Sequence, residues 1–114
     1  MEWISLKTED QFQNILEKSF ETPQLIYKHS YACGLSSMVK QRLEKNTPPS
    51  GVEFYFLDVL RFRSISNKIA DDLDVHHESP QILLIKNARC VYDESHLGIT
   101  MKGIKAHNIP ALNS

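Results

Sequence analysis

Apolar and polar positions alternate along the chain in two distinct periods, and the changes of period mark the elements. Phe12, Ile15, Leu16 and Phe20 recur at helical spacing, so residues 9–20 read as an amphipathic helix. Thr8 precedes it as a candidate N-cap, with Gln11 three positions on as the glutamine of a capping box. Thr22-Pro23 stops it, and a weak alternation over Glu2–Leu6 before it allows a short first strand. Leu25-Ile26-Tyr27 is an apolar run within a strand predicted over 24–29. Helical spacing resumes from Cys33 or Gly34 to Lys45, and Asn46 to Gly51 reads as loop. Val52 to Asp58 is aromatic and β-branched and suits a strand buried on both faces. Ser64 is the candidate cap of a third helix carrying Ile65, Ile69 and Leu73 on one face. Gln81 to Ile85 forms another strand, and Asn87-Ala88 a tight turn into Arg89–Asp93, giving a closing hairpin. Ser95 to Gly98 is loop, Ile99 to His107 a short helix, and Asn108 to Ser114 a tail.

The resulting order is β-α-β-α-β-α-β-β-α. Strands joined through helices are expected to be parallel and the final pair antiparallel, which gives a mixed sheet between two helix layers, an α/β class fold. A length of 114 residues fits one domain spanning 1–114. With 41% hydrophobic and 24% charged residues, the chain can bury a core. The net charge of −1, with both signs interspersed, gives no electrostatic reason for a nucleic-acid or membrane partner. No apolar run approaches the ~18–20 residues of a membrane span, and Met1–Lys7 lacks the regions of a signal peptide, so a cytoplasmic location is expected. There are two cysteines; in a reducing compartment a structural disulfide is not expected, and no clustered Cys or His suggests a metal site.

Candidate chemistry concentrates where the second strand hands over to a helix, in Lys28-His29-Ser30-Tyr31-Ala32-Cys33-Gly34-Leu35-Ser36. A thiol at a helix start faces unpaired N–H groups and the positive end of the helix dipole, which favour the nucleophilic thiolate. Cys33 is therefore the candidate nucleophile, with Lys28 and His29 flanking it as further stabilising groups. The alternative is a small buried residue opening a helix. Cys90, between Arg89 and Val91, reads as a packed thiol in a strand, with a distant resolving cysteine as the functional alternative. Ser36 either hydrogen-bonds the Cys33 thiolate or is a helix-surface hydroxyl. His29, His77 and His96 either tune acidity and contact substrate or are solvated or structurally bonded. Phe54-Tyr55-Phe56 carries no basic residues around it and reads as core rather than a stacking platform.

These residues resemble those of thioredoxin-like proteins. Cys33-Gly34-Leu35-Ser36 stands where thioredoxins carry C-x-x-C, with serine in the fourth place. The chain resembles more closely the monothiol bacilliredoxins, whose hallmark is close to K-H-S-T-x-C-P-I-S. The similarity extends over Tyr55–Val59, Ser66-Asn67, Ile69-Ala70, His77-Glu78-Ser79-Pro80-Gln81, Ser95-His96 and Ile99-Thr100. Tyr31 replaces the family's threonine and Gly34 its proline. The resemblance implies a thioredoxin-like three-layer α/β/α sandwich with a cis-proline at Pro80, and a Ser79 backbone placed beside Cys33 to pair with an extended thiol substrate. It also implies a monothiol thiol–disulfide oxidoreductase with Tyr31, Ala32, Gly34, Leu35 and Ser36 as active-site loop. The expected co-substrate is a low-molecular-weight thiol, bacillithiol by resemblance, with no tightly bound cofactor; the expected partners are S-thiolated client proteins. Two alternatives belong to other classes. Cys-Gly-Leu-Ser is similar to the Cys-Gly-Phe-Ser of cluster-binding monothiol glutaredoxins, although their downstream Gly-Gly pair is absent; visible absorbance after anaerobic purification would mark an iron–sulfur module. A redox-inert thioredoxin-like adaptor would carry a Cys33 unreactive to iodoacetamide near neutral pH.

Overall fold

In the computed structural model, which describes residues 1–108, five strands and four helices follow one another along the chain. They are β1 (Trp3–Ser5), α1 (Glu9–Lys18), β2 (Gln24–His29), α2 (Gly34–Glu44), β3 (Glu53–Asp58), α3 (Arg63–Leu73), β4 (Gln81–Lys86), β5 (Arg89–Ser95) and α4 (Met101–His107), with a 3-10 turn over His96–Gly98 before the last helix. Of the expected tail, residues 109–114 lie outside the described residues.

The sheet order is β1-β3-β2-β4-β5. β3 pairs in parallel with β1 and β2, while β4 runs antiparallel to both β2 and β5. Side-chain alternation then divides the core in two. Ile26, Tyr55, Leu57, Leu83 and Ile85 meet Phe12 and Ile15 of α1 and Ile65 and Ile69 of α3. Leu25, Tyr27, Phe54, Ile82 and Leu84 meet Val39 and Leu43 of α2 and Met101 and Ile104 of α4. All six residues of β2 are buried because strands cover both its edges and helices both its faces. Phe54 and Tyr55 are core, one on each face.

Three boundaries differ from the periodicity. Ser64 lies inside α3 and caps nothing; the turn before the helix is built by Asp58, whose carboxylate accepts from the Leu60 and Arg61 amides and whose carbonyl accepts from Phe62 N. α1 ends at Lys18, so Phe20 lies beyond the helix and stays 63% exposed instead of joining the core face. Ile99 precedes α4, which is capped by Thr100 Oγ1 accepting from Gly103 N at 3.0 Å. Thr8 does cap α1, accepting from Gln11 N, while the Gln11 side chain reaches back to Lys7 N and Ser5 O rather than to the cap itself. Asn87 and Ala88 both hold positive φ in the hairpin turn, and Ser19 holds that turn through its carbonyl and hydroxyl.

Candidate active site

β2 ends at His29, and a turn closed by Cys33 N donating to Ser30 O at 3.1 Å leads into α2. Cys33 is the N-cap residue, half-buried, with extended backbone at φ −121° and ψ 112°. Its side chain closes no cap hydrogen bond as a thiol. The backbone N–H of Ser36, then that of Leu35, favour the thiolate and draw the Cys33 pKa below its ordinary value; the Ser36 hydroxyl adds to this and burial opposes it. Ser36 is fully buried, so it is not a helix-surface hydroxyl. Its Oγ accepts from Ser30 N at 3.3 Å, which ties the helix start to the end of the strand.

The flanking cations do not act as the residue order suggested. Lys28 points to the α1–α3 side of the sheet, where its Nζ bonds the Ser66 carbonyl and His77 Nδ1, each at 3.2 Å. His29 is buried, and its pKa is lowered by that burial and by Lys40, which keeps the ring neutral. Its ring packs against Tyr31 at 4.4 Å and Phe56 at 4.9 Å. The acidity of Cys33 therefore comes from the start of α2 and not from Lys28 or His29.

Tyr27 escaped notice in the sequence, where it reads as one more apolar strand residue. Its hydroxyl donates to the Ser36 carbonyl at 2.7 Å, beneath the first turn of α2. A phenol inside an otherwise apolar run is the one signal that could have drawn attention to it.

Ser79 and Pro80 arrive from the neighbouring strand. The β2–β4 register pairs Lys28 with Gln81, so one further step sets Pro80 level with His29 and the next sets Ser79 level with Ser30. The Ser79–Pro80 bond is cis and Pro80 is buried. The buried Gln81 side chain donates to His76 O at 2.9 Å and accepts from Glu78 N at 3.4 Å. Glu78 in turn faces His96 at 3.3 Å, and His96 N donates to Pro80 O. Tyr31 and Ala32 are exposed around the thiol, with Tyr31 on the rim of a cleft of about 170 Å³ shared with Lys7, Phe56, Asp58, Arg61 and Phe62.

Cys90 stands apart. It packs against the α1–α3 core, donates to Tyr92 O at 3.4 Å, and burial, with Asp93, pushes its pKa up to about 11. It pairs with Ile85, which pairs with Gln24 at the opposite end of β2 from the Cys33 loop.

A family profile described as monothiol bacilliredoxin BrxC matches residues 4–104. The chain belongs to the monothiol bacilliredoxin family. Among solved structures, a protein described as a candidate oxidoreductase with a thioredoxin fold is 28% identical, with a TM-score of 0.80 over 91% of each chain. Thioredoxin from Malassezia sympodialis is 20% identical, with a TM-score of 0.73 over 93% of this chain and 88% of that one. For Trypanosoma brucei brucei thioredoxin the values are 14%, 0.72, 93% and 87%. The fold of this bacilliredoxin is thus thioredoxin-like, and its chemistry is at a coarse level that of a thiol oxidoreductase.

Gly34 is where the chain departs from the family's Cys-Pro, and the structure has room for the proline. A Cβ at Gly34 meets nothing within 4 Å, and Cys33 already holds the extended backbone required before proline. Gly34→Pro should therefore raise stability by about 0.4–1 kcal/mol, read from urea melts, through a less flexible unfolded chain. A destabilised variant would mean that the Gly34 N–H or backbone angle is needed.

Proposed function

We propose that this bacilliredoxin is a single-domain, cytoplasmic monothiol oxidoreductase that removes a low-molecular-weight thiol from client proteins through Cys33. Family membership makes bacillithiol the favoured small thiol, and the clients are S-thiolated proteins. The Cys33 thiolate attacks the small thiol's sulfur in the mixed disulfide. That S–S bond breaks, a new one forms to Cys33, and the client leaves as a thiolate that takes up a proton. A second small-thiol thiolate then attacks the sulfur of the small thiol held on Cys33, which releases the Cys33 thiolate and a symmetrical disulfide. Electrons balance because the client sulfur is reduced to a thiol while the one incoming small thiol is oxidised to the disulfide level. No bound cofactor enters either step. The Ser79 backbone pairs with the client, Tyr31, Ala32, Gly34 and Leu35 border the approach, and the cleft beside Tyr31 offers space for the polar remainder of the small thiol.

The observation that carries this reading is the placement of one acid-shifted thiol at the start of α2, with Ser36 where a second thiol would resolve it and Cys90 at the far end of the sheet. Intact mass after incubation with oxidised bacillithiol, glutathione or coenzyme A should show a single adduct, fastest with bacillithiol. Thiolate absorbance, followed against pH, should give Cys33 a midpoint below that of a free thiol, so adduct formation should persist as the pH drops toward that midpoint and then fall about ten-fold per unit. No adduct with any of the three, or a Cys33 that titrates like a free thiol, would overturn the reading.

A further inference from the structure

Three polar side chains that the thiol chemistry does not use meet on the opposite face of the sheet. Lys28 is fully buried, its Nζ 3.2 Å from the Ser66 carbonyl oxygen and 3.2 Å from His77 Nδ1. Ser66 Oγ stands 3.1 Å from the same ring nitrogen. Among the described residues no carboxylate pairs with Lys28. A buried amine without a counter-ion is costly, and it persists here because two acceptors hold it. Those acceptors lie on different elements. Ser66 is on α3, whereas His77 belongs to the segment that delivers Ser79 and Pro80 to the thiol loop. Burial lowers the Lys28 pKa to about 8, so below that pH it is an ammonium with donors only, and His77 Nδ1 can accept from it only while that nitrogen carries no proton. The cluster thus fastens the 76–80 segment at His77, where the Gln81 side chain also holds His76 O and Glu78 N on either side, and the Glu78–His96 pair follows one residue on.

We propose that Lys28, Ser66 and His77 form a positioning cluster that docks the 76–80 segment onto β2 and α3 and so fixes the Ser79 backbone relative to Cys33. None of the three touches the reacting sulfur. Their effect falls on how well an extended client is held. That consequence rests on the function proposed above; the docking itself does not.

Acid pH releases the cluster. His77 is faced by Lys28 from β2, by Arg63 from α3, and by Glu78 and His76 from its own segment. Burial first, then Lys28 and Arg63, lower its pKa, and Glu78 opposes them. Docking is therefore complete above the ordinary histidine value near 6.5 and is lost as the pH falls through the lower docked value. A proton on Nδ1 would then set donor against donor across the Lys28 contact and leave Nδ1 to donate to the Ser66 hydroxyl alone within the cluster.

The test uses a fluorescent peptide carrying bacillithiol in a mixed disulfide. As the pH is lowered from about 7.5 through the midpoint of the His77 ring, wild-type KM should rise at least about five-fold with kcat corrected for Cys33 ionisation unchanged, a modest coupling between two sites. His77→Asn keeps an acceptor near the Nδ1 position and does not titrate, so its KM should stay flat over that range. His77→Leu should show the raised KM at every pH, with iodoacetamide alkylation of Cys33 at wild-type rate. In wild-type NMR spectra the Ser79 amide should titrate with the midpoint of the His77 ring. A Ser79 amide indifferent to that titration, or a KM unchanged in His77→Leu, overturns the proposal. So does parallel slowing of Cys33 alkylation, which would place the effect on the thiol. If wild type turns over no mixed disulfide, the functional reading fails, and the shared midpoint of Ser79 and His77 still decides the docking.

Discussion

Cys33→Ser should reduce release of bacillithiol from a mixed-disulfide client to the uncatalysed background, while Cys90→Ser should leave the rate within a few-fold. Attack requires a thiolate and access to it. Cys33 has both, since the start of α2 lowers its pKa and the loop around it is exposed. Cys90 has neither, because burial raises its pKa to about 11 and its sulfur packs against the α1–α3 core. Nor can Cys90 resolve an adduct on Cys33. It is level with Gln24, and the five steps from Gln24 to His29 alone span ~16 Å at ~3.3 Å per residue. A disulfide needs Cα atoms within ~7 Å. Wild-type protein kept without reductant should therefore accumulate one small-thiol adduct, seen by intact mass. A Cys33–Cys90 disulfide in wild type, with the adduct trapped only in Cys90→Ser, would replace the monothiol route by a two-cysteine one.

The second large effect is expected at Tyr27. Its ring is fully buried, 5.4 Å from Trp3 and 6.1 Å from Phe56, and its hydroxyl supports the Ser36 carbonyl. Tyr27→Ala should cost about 3–5 kcal/mol, through lost burial and the cavity left behind. That is a large part of the ~5–15 kcal/mol that keeps a domain folded. Tyr27→Phe keeps the ring and removes the hydroxyl's bond to the Ser36 carbonyl, at a cost of about 0.5–1.5 kcal/mol. Urea unfolding followed through Trp3, the single tryptophan, separates the two contributions. A Tyr27→Phe variant as stable as wild type would show that the hydroxyl is not an anchor of α2.

The sequence by itself determined the element order, the hairpin turn at Asn87-Ala88 and the place of Cys33 between strand and helix. These follow from local periodicity and turn chemistry, which act over a few residues and so are written in consecutive positions. The ends of elements were less legible. α3 starts at Arg63 because Asp58, not Ser64, satisfies the amides before it, and α1 releases Phe20 where Ser19 turns toward the hairpin. Only the tertiary structure decided which cations bear on the thiol. Lys28 lies beside the loop in sequence, but strand alternation sends its side chain through to the other face, where Ser66 and His77 receive it from 38 and 49 positions away. His29 takes the thiol's face yet is buried among aromatic rings that keep it neutral. The inertness of Cys90 follows from its register against Ile85 and Gln24. Burial, facing and register depend on what the rest of the chain brings alongside a residue, and no local stretch of sequence contains that information.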